Sequence, residues 1–301
     1  MTDLITQLFN GLSTGSILLL AALGLAITFG LMGVINMAHG ELLMVGAYTT
    51  FVCQNLIATY LPAYQDWSFI FALPLAFLVA GLVGLLLEAT VIRFLYGRPL
   101  ETLLATWGVS LILQQAFRNI FGANNVDVQS PSWLEGGLRI GEDLQFPYRR
   151  LFIIFLAALC IAGTYWFLNY SSWGLRIRAV TQNREMSACL GIATRKVDAY
   201  TFALGSGLAG IAGCAVSLLG SVGPSSGLNY IVDAFMVVIT GGVGKIFGAV
   251  AGGFAIGEIK TGLEVLTSSS LATALVFSLV ILFLQFRPSG LFPQKGRGVD
   301  S

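Results

Sequence analysis

Long apolar runs separated by short polar stretches dominate this chain. A helix needs about 20 mostly apolar residues to cross the hydrocarbon of a bilayer. Runs of that kind fall at residues 8–31, 41–58, 69–95, 103–121, 151–168, 199–219, 246–266 and 271–286. A further run at 230–240 is short for a span and reads as a full or a half crossing. The pattern therefore predicts about nine crossings, within eight to ten. The fourth run is more polar than its neighbours, carrying Thr106, Ser110, Gln114, Gln115 and Arg118, and Pro99 marks a break before it. Residues 122–150 are rich in Asn, Gly, Pro and Asp, too polar to span and full of turn formers. Residues 174–196 form the one long basic interruption, with Arg176, Arg178, Arg184, Arg195 and Lys196 against a single carboxylate, Glu185.

Composition carries the same message. Of 301 residues, 56% are hydrophobic and 10% charged, with mean hydropathy +0.82. Soluble domains carry about a quarter charged residues, so the fold expected is all-α, a polytopic transmembrane helical protein forming one domain over residues 1–301. Lys and Arg are retained on the cytoplasmic side. Placing the basic loop there puts 11 of the 16 basic residues inside, with Arg118, Arg139, Arg149, Arg150 and Lys260 outside. The N-terminus is then periplasmic and the C-terminus cytoplasmic. No Lys or Arg precedes Arg93, so the first run lacks the basic flank of a signal peptide and is expected to remain a span. A net charge of +1 offers no basic excess for nucleic acid.

Small residues recur at helical spacing: Gly244, Gly248 and Gly252, then Gly11 with Gly15 and Gly253 with Gly257. Such stripes let helix backbones approach closely in lipid. Gly205-Ser206-Gly207-Leu208-Ala209-Gly210 fits GxGxxG but lies inside an apolar run, so it reads as a packing face rather than a dinucleotide loop. Gly244-Lys245 lacks the Ser or Thr that a Walker motif requires. Cys53, Cys160, Cys189 and Cys214 form no CxxC and read as small buried hydrophobes. With one histidine, His39, and no GxSxG elbow, no catalytic set or metal site is expected.

Two polar groupings remain. Asn36, His39 and Glu41 cluster between the first two runs, where they either line a route or gate at membrane depth or cap helices at the boundary, Asn36 being a fair N-cap. Ser110 and Gln114, four residues apart, share a helix face and either line a polar route or bond neighbouring helices. Glu88, Asp233 and Glu258 are lone acids in apolar runs, and Lys260 with Glu264 reads as an i,i+4 pair. In the basic loop, residues 184–190 suit a short helix capped by Thr181 or Asn183 and ended by Gly191.

Two passages, GLMGVINMAHGELLMVGAY and GLRIRAVTQNREMSACLGIATRKVDAYTFALGSGLAGIAG, resemble the permease subunits of branched-chain-amino-acid-type ABC importers. RPLETLLATWGVSLILQQAFRNIFGANNVDVQSPSW and the closing RPSGLF look like the urea-type permease of that family. The resemblance implies a multi-pass subunit of a bacterial inner membrane. It would work by alternating access with a second permease, two cytoplasmic ATPases and a periplasmic binding protein. ATP and Mg would sit on the ATPases, leaving this chain without cofactor or catalysis. Importer permeases carry a Glu-Ala-Ala…Gly loop that docks on the ATPase; here Glu185 and Gly191 hold that spacing while Met186 and Ser187 replace the alanines. The resemblance thus assigns coupling to Arg184, Glu185, Ala188, Gly191 and Arg195 within 171–197. It leaves Asn36, His39, Glu41, Ser110 and Gln114 as candidates for the route, and Trp133, Glu135, Glu142 and Asp143 in the 122–150 loop as contacts for the binding protein. The expected cargo is urea or a similar small amide, with a branched-chain amino acid, or a stand-alone carrier or channel, as the alternatives.

Overall fold

The computed structural model describes residues 2–140 and 144–292. Among them the chain forms α1 (Thr2–Met32), α2 (His39–Tyr60), α3 (Ser68–Thr90), α4 (Pro99–Phe121), α5 (Tyr148–Tyr170), α6 (Ser172–Gln182), α7 (Arg184–Cys189), α8 (Thr194–Val216), α9 (Ser226–Gly241), α10 (Ile246–Leu266) and α11 (Ser269–Phe286). In the outer loop, β1 (Gly137–Ile140) pairs antiparallel with β2 (Leu144–Pro147). Seven helices, α1, α2, α3, α5, α8, α10 and α11, are long and apolar enough to cross a membrane. The more polar α4 and the 16-residue apolar α9 are not among these seven, which are fewer than the nine crossings expected.

The core is built around α1 and α8, both apolar and both lined with glycine. A helix that is apolar all round belongs inside, and α1 is buried almost continuously from Gly11 to Gly30. Its neighbours come close because glycine meets glycine. Gly24 of α1 faces Gly205 of α8, while Gly11 and Gly15 face Gly257 and Glu258 of α10. A Cβ at Gly24 would overlap the Gly205 carbonyl oxygen. The GxGxxG run therefore serves packing: Gly205 sits on α1, Gly207 on Phe77 of α3, and Gly210 on Ala76 of α3. Outward-facing Phe71, Leu75, Leu78, Leu82 and Leu86 of α3 form an exposed apolar stripe for lipid.

As expected, a break precedes α4, and Pro99 begins the helix, where its missing N–H costs nothing. Several local expectations are corrected. Gly244 is not part of the α10 stripe; it has φ +88° and precedes the helix, so the stripe begins at Gly248, packed on Gly241 of α9. Lys260, half-buried, pairs with the buried Asp233 of α9 at 3.0 Å rather than with Glu264, so the buried carboxylate is neutralised. Glu264 instead accepts from the Ser269 hydroxyl. Cys189 is exposed, unlike Cys53, Cys160 and Cys214.

Irregular backbone is tolerated at membrane depth only where protein covers it. Residues 33–38, between α1 and α2, meet that condition. They turn back at Gly33 (φ +69°) and carry α2 inward, so that His39 begins its helix beside Ala21. Ala21 lies eleven residues before the end of α1, about 16 Å along its axis at 1.5 Å per residue. Residues 217–225, between α8 and α9, bring a second helix start to the same place. The backbones of Gly40 and Gly227 touch, so α2 and α9 leave one point in opposite directions.

Candidate functional site

The point where α2 begins gathers the polar residues of the first two runs. Asn36, His39, Glu41, Ser110 and Gln114 are all buried there. Glu41, in the first turn of α2, offers Oε1 to two donors on α4: Gln114 Nε2 at 2.8 Å and the Ser110 hydroxyl at 3.1 Å. Gln114 also reaches Ser110 Oγ at 3.1 Å, which their four-residue spacing on one helix face allows. The second Glu41 oxygen is buried with no hydrogen-bond partner among the described residues.

Asn36 is not the N-cap of α2; Ala38 holds that position, with no side-chain cap bond. The Asn36 Oδ1 instead accepts from the Ala38 N–H at 3.0 Å in the turn before the helix, and its Nδ2 is buried with no partner among the described residues. His39 Nε2 lies 2.9 Å from the Ala21 carbonyl; a carbonyl only accepts, so Nε2 carries a proton. His39 Nδ1 has no partner among the described residues. Asn36, His39 and Glu41 each spend one polar atom on structure and keep another without a partner among the described residues.

Two further residues belong to the site. Thr106 of α4 accepts from the Met37 N–H at 3.0 Å and donates to its own helix at the Thr102 carbonyl, 2.8 Å away. It thereby pins the unwound segment to α4. Tyr48, two turns outward from Glu41 on α2, is fully buried, and its hydroxyl has no hydrogen-bond partner among the described residues. Chain position gave Thr106 away only as one polar residue in a polar helix, and Tyr48 not at all. Among the described residues no group of three His, Cys, Asp or Glu side chains comes together as a metal site.

The basic loop holds a second grouping. It forms two helices rather than one: α6, capped by Ser171 accepting from Gly174 N, and α7, capped by Asn183 accepting from Met186 N at 2.9 Å. Thr181 is not the cap. Gly191, at φ +81°, ends α7 as the spacing predicts. Glu185, Ala188, Gly191 and Arg195 are exposed, and so are the apolar Met186 (58%) and Leu190 (76%), while Ser187 is buried. Arg184 turns back to the core, bonding Asp198 of α8 at 2.5 Å and lying 4.8 Å from the Tyr96 ring centre. The Tyr96 hydroxyl donates to Glu88 of α3 at 3.2 Å. Burial and the nearby Asp198 and Glu88 carboxylates push the Tyr96 phenol above its ordinary value, so it stays a donor. A cavity of about 380 Å³ opens beside this cluster, lined by Met32, Tyr96, Arg184 and Asp198.

On the opposite side, the 122–150 loop is fastened to the α2–α3 connection. Gln54 and Gln129 exchange two hydrogen bonds, and Trp133 Nε1 donates to the Asp66 carbonyl at 2.8 Å. Glu135 is exposed; Glu142 and Asp143 lie outside the described residues.

Known proteins resemble the chain along nearly its whole length. The family described as branched-chain amino acid transport system / permease component matches residues 7–285. The high-affinity branched-chain amino acid transport permease BraD of Pseudomonas aeruginosa is 30% identical over 95% of this chain and 94% of its own. LivH of Escherichia coli, named for the same transport, is 30% identical over the same shares. The ribose import permease RbsC of Escherichia coli is 31% identical over 43% of this chain and 41% of its own. No solved structure matches the chain.

Proposed function

Given that the chain belongs to the family of permease components of branched-chain amino acid transport systems, we propose that it is a membrane-spanning subunit of an ATP-driven importer for a small solute rich in hydrogen-bonding groups. One observation carries this reading. A carboxylate, an amide and an imidazole each keep a buried polar atom unspent at membrane depth, where such atoms are costly and face a route or a ligand. Glu41, Asn36 and His39 hold the solute on the α2 side, with Ser110 and Gln114 orienting Glu41 from α4.

Branched-chain amino acids are the first cargo. The relatives that span this chain are named for them, and the free Glu41 oxygen suits an ammonium group. Urea is the second, favoured by the 98–133 passage that carries Ser110 and Gln114; its N–H groups would meet the same acceptor. Energy comes from partner ATPases, which hold ATP and Mg and receive α7 with its exposed Met186 and Leu190. A second permease and a periplasmic binding protein complete the assembly. Uptake of labelled leucine and labelled urea, in cells lacking this subunit and in cells given it back, tests the proposal. Restored leucine uptake supports the first cargo and restored urea uptake the second. Restoration of neither, with the chain present in the membrane, overturns both.

A further inference from the structure

The polar groups around Glu41 are covered on their outward side by a layer of aromatic side chains. Tyr48 stands two helical turns outward from Glu41, about 10 Å along α2. Phe117 and Phe121 stand one and two turns outward from Gln114 on α4. These three rings pack on one another: Tyr48 lies 4.6 Å from Phe121 and 5.0 Å from Phe117, and the two phenylalanines are 5.6 Å apart. Any solute travelling between α2 and α4 from outside toward Glu41 meets this stack.

A strap of backbone closes over the stack. Val126, just beyond α4, pairs with Val222 in the segment between α8 and α9. Each N–H donates to the other's carbonyl, at 2.8 and 2.9 Å. The Asn125 amide donates to the Ser221 hydroxyl at 3.2 Å, and its Oδ1 lies where a Cβ on Gly223 would stand, so a larger residue there would push the Asn125 amide aside. Val222 and Val126 pack on Met44, Ala47 and Tyr48, joining strap and stack in one apolar cluster. Val222 belongs to the same segment that delivers Gly227 to Gly40. A cavity of about 200 Å³, lined by Met44, Ala47, Val222, Ser226 and Asn229, lies against that segment and leaves it room to move.

We propose that Tyr48, Phe117 and Phe121, strapped by the Val126–Val222 pair, form the outer gate of the route, and that the structure is closed to the outside. The gate presupposes the transport reading above. Among the described residues, two backbone hydrogen bonds and one side-chain bond, with the apolar contacts of Val126 and Val222, hold the strap, so it parts without unfolding a helix. Opening it separates α4 from α2 and leads to Glu41.

Residues that exchange both backbone bonds lie about 5.5 Å apart at Cα, within the range a disulfide spans. In the complete importer, the double variant Val126→Cys/Val222→Cys is expected to transport under reducing conditions. On oxidation, uptake should fall at least about tenfold and return with reductant, while oxidised wild type is unaffected. Verified cross-linking with uptake unchanged overturns the gate. Absence of uptake in wild type as well overturns the transport reading instead. A second measurement does not depend on that variant transporting. In Gln114→Cys, an impermeant maleimide added from outside should label the thiol slowly, and adding Phe121→Ala should raise the rate several-fold. An unchanged rate overturns the gate.

Discussion

Glu41 shows how much a single residue can be asked to do. Ionised carboxylates at membrane depth are costly unless paired, and here one oxygen takes two hydrogen bonds while the other takes none from the described residues. Gln in its place keeps an acceptor for Ser110 and Gln114 but removes the charge. A hydrogen bond to a charged group is worth about 1.5–3 kcal/mol, and about 1.4 kcal/mol is a factor of ten. Glu41→Gln is therefore expected to lower leucine uptake by about ten- to a hundred-fold while leaving the amount of protein in the membrane unchanged. Urea uptake should change far less, because urea carries no ammonium. Much of this site was legible: the spacing of Ser110 and Gln114 places them on one face, and the Asn36–His39–Glu41 group stands out in an apolar chain. Thr106 was not. A threonine inside a helix ordinarily bonds its own preceding turn, as Thr106 does at Thr102, and nothing in one dimension shows that its oxygen also holds Met37.

Among the elements, the contacts of α1 with α8 and α10 decide whether the molecule packs. Apolar burial gives no drive for helix association in lipid, so close backbone approach supplies it. A leucine at Gly24 would strike the Gly205 carbonyl and the His39 ring together. Overpacking costs about 1–3 kcal/mol, occasionally more, so Gly24→Leu should lower the melting temperature of the detergent-solubilised protein by several degrees. Gly108→Ala on α4 is the comparison, since a Cβ there meets open space. Its helix gains about 0.5–1 kcal/mol, and the melting temperature should hold or rise. Glycine periodicity revealed which faces pack, but not their partners. The stripe from Gly244 was over-read by one residue because a glycine that ends a turn and one that packs a helix look identical in sequence. α6 went unseen because its polar, basic composition matches that of a surface loop.

For the whole molecule, the proposed coupling to an ATPase requires motion to pass from the basic loop to the helices. α7 presents Glu185, Met186 and Leu190 outward, yet its first residue, Arg184, is tied inward to Asp198, Tyr96 and through Tyr96 to Glu88. This cluster joins α7 to α8 and to the α3–α4 connection, so a push on α7 moves three elements as a body rather than bending a loop. Asp198→Ala is expected to leave insertion and ATP hydrolysis by the assembled importer largely intact while cutting uptake severalfold. The charge exchange Arg184→Asp/Asp198→Arg should recover part of that loss. Equal loss of hydrolysis and uptake would instead mean that the cluster only holds the fold together.

The sequence alone determined the solvent, the class and the approximate path of this chain. A composition 56% hydrophobic and 10% charged admits few answers, and apolar runs with asymmetric Lys and Arg predict spans and sidedness, because both are counted along the chain. Tertiary structure decided what lies between the runs. In sequence, residues 33–38 fit a boundary as well as membrane depth, and 217–225 carry no mark of either, since Gly, Asn and Ser suit water as well as a covered interior. Only the packing of α1, α8 and α4 around them brings α2 and α9 to one buried point, and with them Glu41, Tyr48 and the strap above. Backbone that leaves its helix inside a membrane survives only by the hydrogen bonds other elements lend it, and those lenders, Thr106 for Met37 and Val126 for Val222, are 69 and 96 residues away.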